Sequence, residues 1–378
     1  MRKVQILFAV IGLTGAVLAC NSEPNAPEPT IDISLEPTRA SFDRDRTAYG
    51  FFPSPPEATL ESVLAHFEAL GEHADFILVQ PNIPWEDFVD GIEGESQART
   101  DLRNQIILAR RNGLDWIFVV DPLNGLNRRE FFGLPQDWDP SFANPEVRTA
   151  FTNFTQWIVQ EFEPHYLGLA SEINTYLDAY PEDVENYMSL YVEVYDRVKS
   201  VSAETQVFVT FQWDDLNNMF APAAEGRPAY QTNWEQVEAF EPKLDLWVIS
   251  SYPYFVFDDG AIPADYYTPL LEQTDKPLAV SEGGWSSTQV GPVGGTEAGQ
   301  VAYLEAMHDQ LGERLSFWVY LILSDLNMES ISAGLEDVGR PPEDADTLSL
   351  FASLGLRSFD GIPKPALEVW DRYRVGAP

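Results

Sequence analysis

Residues 166–174 read YLGLASEIN. The run from Tyr166 to Ala170 is short, apolar and without polar alternation, the pattern of a strand buried on both faces. It leads directly into Ser171 and Glu172, so a carboxylate stands where the strand surfaces. A parallel sheet covered by helices accounts for such a strand, and the flanking sequence repeats the same pattern. TAYGFF (47–52), DFILVQ (75–80), DWIFVVD (115–121), YLGLAS (166–171), QVFVTFQ (206–212), DLWVISSY (245–252), PLAVSE (277–282) and SFWVYLIL (316–323) make eight candidate strands.

Between them lie segments with apolar residues three and four apart, the helical period. PPEATLESVLAHFEAL (55–70) opens with prolines and acids, and ESQARTDLRNQIILARRNG (95–113) closes with basic residues and a glycine, as helix ends prefer. The alternation continues through PEVRTAFTNFTQWIVQEF (145–162) to KPALEVWDRY (364–373). Eight strand–helix units over about 330 residues predict an α/β fold, a single (β/α)8 barrel. A (β/α)8 barrel carries its chemistry on the C-terminal strand ends, where Glu172 stands.

The N-terminus reads as a processing segment. Arg2 and Lys3 precede an apolar run from Ile6 to Val17, and Leu18-Ala19-Cys20 has the form of a cleavage site. Cys20 is the only cysteine, so no disulfide can form within one chain. The Leu-Ala-Cys ending resembles the bacterial lipobox. That resemblance implies a signal peptide over 1–19, lipidation of Cys20 and a cell-envelope location, with the lipid as the membrane contact. Residues 20–45 are rich in Pro, Glu, Ser and Asp and suit a flexible tether, leaving 46–378 for the barrel.

The chain carries 23 Lys and Arg against 60 Asp and Glu, a formal charge of −37. Nucleic acid is excluded as a partner, because phosphate binding needs concentrated cations. The four histidines, His66, His73, His165 and His308, lack metal-ligand spacing, so no metal is expected. No Gly-x-Ser-x-Gly, Walker or dinucleotide fingerprint occurs, and no cofactor is expected.

A second strand ends as the fourth does: KPLAVSEGGW (276–285) places Glu282 at the end of the seventh. Two carboxyls facing across a barrel mouth can flank one glycosidic bond. In retention one donates a proton and the other attacks, ~5 to 5.5 Å away; inversion needs a wider gap for water. On these residues the chain resembles the clan A glycoside hydrolases over roughly 46–378, and ASEIN with VSEGGW resembles the family 53 β-1,4-galactanases. The resemblance implies that Glu172 is the acid/base and Glu282 the nucleophile. It implies that Tyr252, in ISSYPYF, hydrogen-bonds the nucleophile and that Trp318 forms a floor beneath the sugar. Trp85, Trp213 and Trp285 follow strands two, five and seven and are candidates for sugar stacking, against the plainer reading that they fill the barrel's outer layers. Asp121 and Asn124 in VVDPLNG are candidates for sugar contact or for capping a turn.

Two departures from the clan pattern stand out. Ser171 replaces the Asn that precedes the acid glutamate, and FILVQPNIPW offers Gln80 and Asn82 where strand two normally brings an Arg. Gln212 is the candidate donor for the sugar 2-hydroxyl that the missing Asn would hold. The expected activity is hydrolysis of β-linked oligo- or polysaccharides by a monomer, through double displacement. The rival expectation is an inactive, glycan-binding lipoprotein with the same barrel. A two-lobed solute-binding protein is disfavoured by the single uninterrupted series of eight units.

Overall fold

Gly50 and Gly168 face the barrel interior, where a side chain at either would collide with a phenylalanine. A Cβ on Gly50 would lie 2.5 Å from the Phe76 ring, and one on Gly168 2.9 Å from the Phe208 ring. The room they leave is filled by aromatics: Phe317 packs 5.0 Å from Tyr166 and 5.9 Å from both Phe76 and Phe208, centroid to centroid. This layer plugs the lower barrel, so any site must lie above it.

The computed structural model describes residues 46–220, 228–258, 260–291, 293–337 and 340–376. The expected signal peptide, Cys20 and tether lie outside them. The barrel strands are β1 (Ala48–Phe51), β2 (Phe76–Val79), β3 (Asp115–Val119), β4 (Tyr166–Gly168), β5 (Gln206–Phe208 continuing as Thr210–Gln212), β6 (Trp247–Ser251), β7 (Leu278–Gly283) and β8 (Leu315–Tyr320). All pair in parallel, and β1 pairs with β8 from Ala48↔Phe317 to Phe51↔Tyr320. The ring closes through β5. Its first half pairs with β4 and its second with β6, with Val209 between them.

The expected (β/α)8 barrel is therefore present, each predicted run supplying one strand. Several runs overreach: β3 ends at Val119 and β4 at Gly168, beyond which the chain bends at Leu169. The helices begin where the sequence places polar caps: Thr59, Ser96, Asn144 and Thr296 each accept a backbone N–H of the first turn through the side chain. Long helices such as Pro145–Phe162 and Val184–Val201 bury one face against the strands.

Two additions sit on the C-terminal face. After β3 a hairpin pairs Leu123–Asn124 with Asn127–Phe131. Asn124 accepts a hydrogen bond from the Leu126 backbone, so it shapes this turn, as its capping alternative predicts. After β8 a helical excursion, with helices Met328–Asp337 and Pro342–Ser349, crosses the mouth. It meets the loop after β1 (Ala58 N–H to Ser330 Oγ, 3.1 Å) and the loop after β6 (Tyr254 Oη to Leu350 O, 3.2 Å). It also meets the loop after β7 (Ser287 N–H to Ser353 O, 2.9 Å), and the Arg340 guanidinium lies 4.7 Å over the Phe132 ring beside the hairpin.

Candidate active site

Glu172 stands at the first turn of the helix Ile173–Ala179, with φ 47° and ψ 44°. A non-glycine residue in this left-handed region costs on the order of 1–3 kcal/mol and persists only where its surroundings enforce it. Here the Glu172 backbone N–H donates to Thr210 Oγ1 at 2.7 Å, and two residues on Asn174 Oδ1 accepts the Gln212 N–H at 2.8 Å. The ends of β4 and β5 are thus tied together, and the Glu172 carboxyl is turned into the barrel mouth.

Glu282 arrives by a different device. The pairing of β7 with β6 slips between Val280 and Glu282, a bulge of the kind that re-aims a side chain. Its Oε1 accepts from Ser171 Oγ at 2.6 Å, and its Oε2 from Tyr252 Oη at 3.5 Å. The two glycines after it have structural reasons. A Cβ on Gly283 would lie 2.4 Å from Tyr303 Oη, and one on Gly284 2.6 Å from Leu354 Cδ2.

Between the two acids lies a cation that sequence reading missed. Arg128, fully buried, enters from the hairpin after β3. Its Nη1 donates to Asp121 Oδ2, its Nε to Glu172 Oε2 at 3.3 Å, and its Nη2 to Ser171 Oγ at 3.1 Å, with Glu282 Oε1 3.6 Å away. One guanidinium within 3.6 Å of both glutamates brings the two carboxyls together in the barrel mouth. Ser250 Oγ also donates to Glu172 Oε1, and Gln80 Nε2 donates to Asp121 Oδ2 at 2.9 Å. The only sequence signal for Arg128 was the Asn-Gly turn that makes a hairpin, and nothing local says which acids it meets.

Burial raises the Glu172 pKa well above the usual carboxylate range, and the nearby Glu282 charge raises it further, against the pull of Arg128 and Ser250. Burial likewise pushes Glu282 up to about 7, opposed by Arg128 and by the Ser171 hydrogen bond. Asp121 is raised by burial in the same way, with Arg128 the main opposing influence. Burial would strip the proton from Arg128, but the three carboxylates outweigh it and hold the guanidinium charged. Both glutamates are thus pushed towards their protonated forms, with Arg128 pulling each the other way.

The other expected residues divide. Ser171, Tyr252 and Asp121 converge on the two glutamates. Gln212 does not reach out for a sugar: Oε1 caps the helix Trp213–Leu216 by accepting the Asp215 N–H, and Nε2 donates to Asp214 at 3.0 Å. Trp318 is not a sugar floor. It sits on the outer side of β8, its ring 5.4 Å from Trp370 of the helix Pro365–Arg374 and 5.9 Å from Tyr49, because strand alternation points Phe317 inward instead. Trp85, Trp213 and Trp285 are each at most 2% exposed and present no open face for stacking, as the plainer reading has it. Trp85 Nε1 donates to Phe132 O at 2.8 Å, which anchors the hairpin that carries Arg128. Glu172 and Glu282 are 0% and 1% exposed beneath the excursion after β8.

No family model and no curated protein matches the chain. Among solved structures it is similar to the exo-β-1,4-mannosidase Op5Man5 from Opitutaceae bacterium strain TAV5, with TM-score 0.63 and 13% identity over 88% of this chain and 59% of that one. It is similar to a GH5_18 protein from Bifidobacterium longum subsp. longum, with TM-score 0.60 and 14% identity over 88% and 79% of the two chains. A family 39 glycoside hydrolase from Bacteroides cellulosilyticus WH2 gives TM-score 0.52 and 17% identity over 88% and 64%. The chain thus spans about three fifths of the mannosidase's length. At these identities the likeness is one of fold.

Proposed function

We propose that this protein is a retaining glycoside hydrolase acting on β-linked glycans. The observation that carries the reading is that Glu172 and Glu282, from the ends of β4 and β7, meet at one guanidinium on the C-terminal face of the barrel. The barrel's likeness to glycoside hydrolases, the mannosidase among them, supports the same reaction class. In the proposed cycle Glu172 gives its proton to the departing oxygen while Glu282 attacks the anomeric carbon, forming a covalent glycosyl ester. Glu172, now ionised, takes a proton from water, which attacks the same carbon and frees Glu282. Tyr252 and Ser171 hold the nucleophile, and no cofactor enters the cycle.

The test is incubation of residues 45–378 with aryl β-glycosides and with β-mannans, β-galactans, β-glucans and xylans. Cleavage with retained anomeric configuration is expected, lost by at least about 10³-fold in Glu282→Gln. Absence of cleavage across the panel, with glycans still bound, would instead establish the glycan-binding reading. That rival draws on the burial of both carboxylates against Arg128. We further propose that Cys20 carries the lipid anchoring the barrel to the cell envelope. Cys20→Ser is expected to release the protein from membranes, and unchanged membrane association refutes the anchor.

A further inference from the structure

Three acids surround one cation in the barrel mouth, all four fully or nearly fully buried. Arg128 reaches them with separate nitrogens: Nη1 to Asp121 at the end of β3, Nε to Glu172 at the end of β4, and Nη2 towards Glu282 on β7. A planar fork can serve three directions at once, which a point charge on a flexible stem cannot. The ionisable group facing them from β6 is Tyr252, at the nucleophile, and Ser171 and Ser250 complete the polar shell. The hairpin brings this guanidinium from after β3, whereas FILVQPNIPW on β2 supplies only amides, of which Gln80 holds Asp121.

We propose that Arg128 is the positioning residue of this site, a shared counter-ion that holds the two glutamates face to face. Its positioning part rests on the hydrolase reading; its counter-ion part does not. Three buried acids share this one positive charge, and burial pushes each of them towards its protonated form while the guanidinium opposes it. Loss of the cation would leave buried carboxylates that must either ionise without a partner or hold protons which the unfolded chain releases.

The experiment compares Arg128→Met and Arg128→Lys with the wild type in the full barrel, by melting at pH 5 and pH 8 and by the pH profile of kcat/KM on an aryl β-glycoside. The melting-temperature penalty of Arg128→Met is expected to be at least about 4 °C larger at pH 8 than at pH 5. Arg128→Lys, which keeps the charge but not the fork, should recover more than half of that difference while regaining little of the rate. For Arg128→Met, kcat is expected to fall on the order of 100-fold, and the acid limb of kcat/KM to move up by about one pH unit. A penalty equal at both pH values in both variants makes Arg128 a merely structural residue and overturns the proposal, as does an unmoved acid limb. If the wild type cleaves no substrate, the hydrolase reading fails, and the melting arm alone still decides the counter-ion.

Discussion

Glu282 keeps its proton to about pH 7 because its carboxyl is buried, and the Ser171 hydroxyl and the Arg128 charge recover only part of what water would supply. In the proposed cycle its ionised form is the nucleophile and Glu172 the proton donor, so kcat/KM is expected to rise through about pH 7 and to fall at higher pH as Glu172 loses its proton. A pH–rate profile checks this; an acid limb near the ordinary 4.5 refutes it. Ser171→Ala removes the 2.6 Å donor and is expected to cost about 1–2 kcal/mol of stability and to shift the acid limb upward. Ser171 also shows how a departure from a familiar pattern can be resolved: where the clan's Asn would hold a sugar, this shorter hydroxyl holds the Glu282 carboxyl.

The decisive element is the hairpin after β3. Its strands are two and five residues long, too short to be stable alone, so its position depends on what it leans upon. Two contacts hold its Phe132 end: the Trp85 indole donates to the Phe132 carbonyl, and Arg340 from the excursion after β8 covers the Phe132 ring. Trp85→Phe keeps the bulk and removes the donor. It is expected to cost about 1 kcal/mol and to speed amide exchange across residues 123–131, while exchange in β1 and β8 stays unchanged. Uniform exchange behaviour across the barrel would show that the hairpin is held by other means.

For the whole molecule, two electrostatic effects act at different ranges. Glu172 and Glu282 both have folded-state pKa values above their unfolded ones, and the stability that Glu282 contributes is complete below about pH 4.5 and is lost as pH rises through about 7. The melting temperature of the wild type should therefore decline across that window, and Glu282→Gln should flatten the decline. Calorimetry at pH 5 and pH 8 measures both. The second effect is the formal charge of −37, whose self-repulsion opposes the compact state. Raising salt from about 20 mM to about 0.5 M shortens the screening length several-fold and should raise the melting temperature of this chain by several degrees. A melting temperature indifferent to salt would mean that the acids are already balanced locally.

The barrel was legible in the sequence because its causes are local: eight apolar runs too short for helices, alternating with segments of helical period, admit few other closures. Glu172 and Glu282 were legible for the same reason, each standing where a strand surfaces. The orientation of Trp318 was not, since a one-residue alternation decides whether it meets the barrel's interior or the Trp370 helix. Gln212 was taken up locally, as the cap of the helix that begins beside it, and packing decided the three tryptophans for the plainer of their two readings. Arg128 was invisible: it is 44 residues from Glu172, and its contacts exist only because the hairpin folds over the mouth. The sequence by itself determined the strands, the barrel and the two acids at their ends, through periodicity and strand boundaries. Tertiary structure alone decided which cation joins those acids and which aromatics face away, because both depend on contacts between segments that no local pattern encodes.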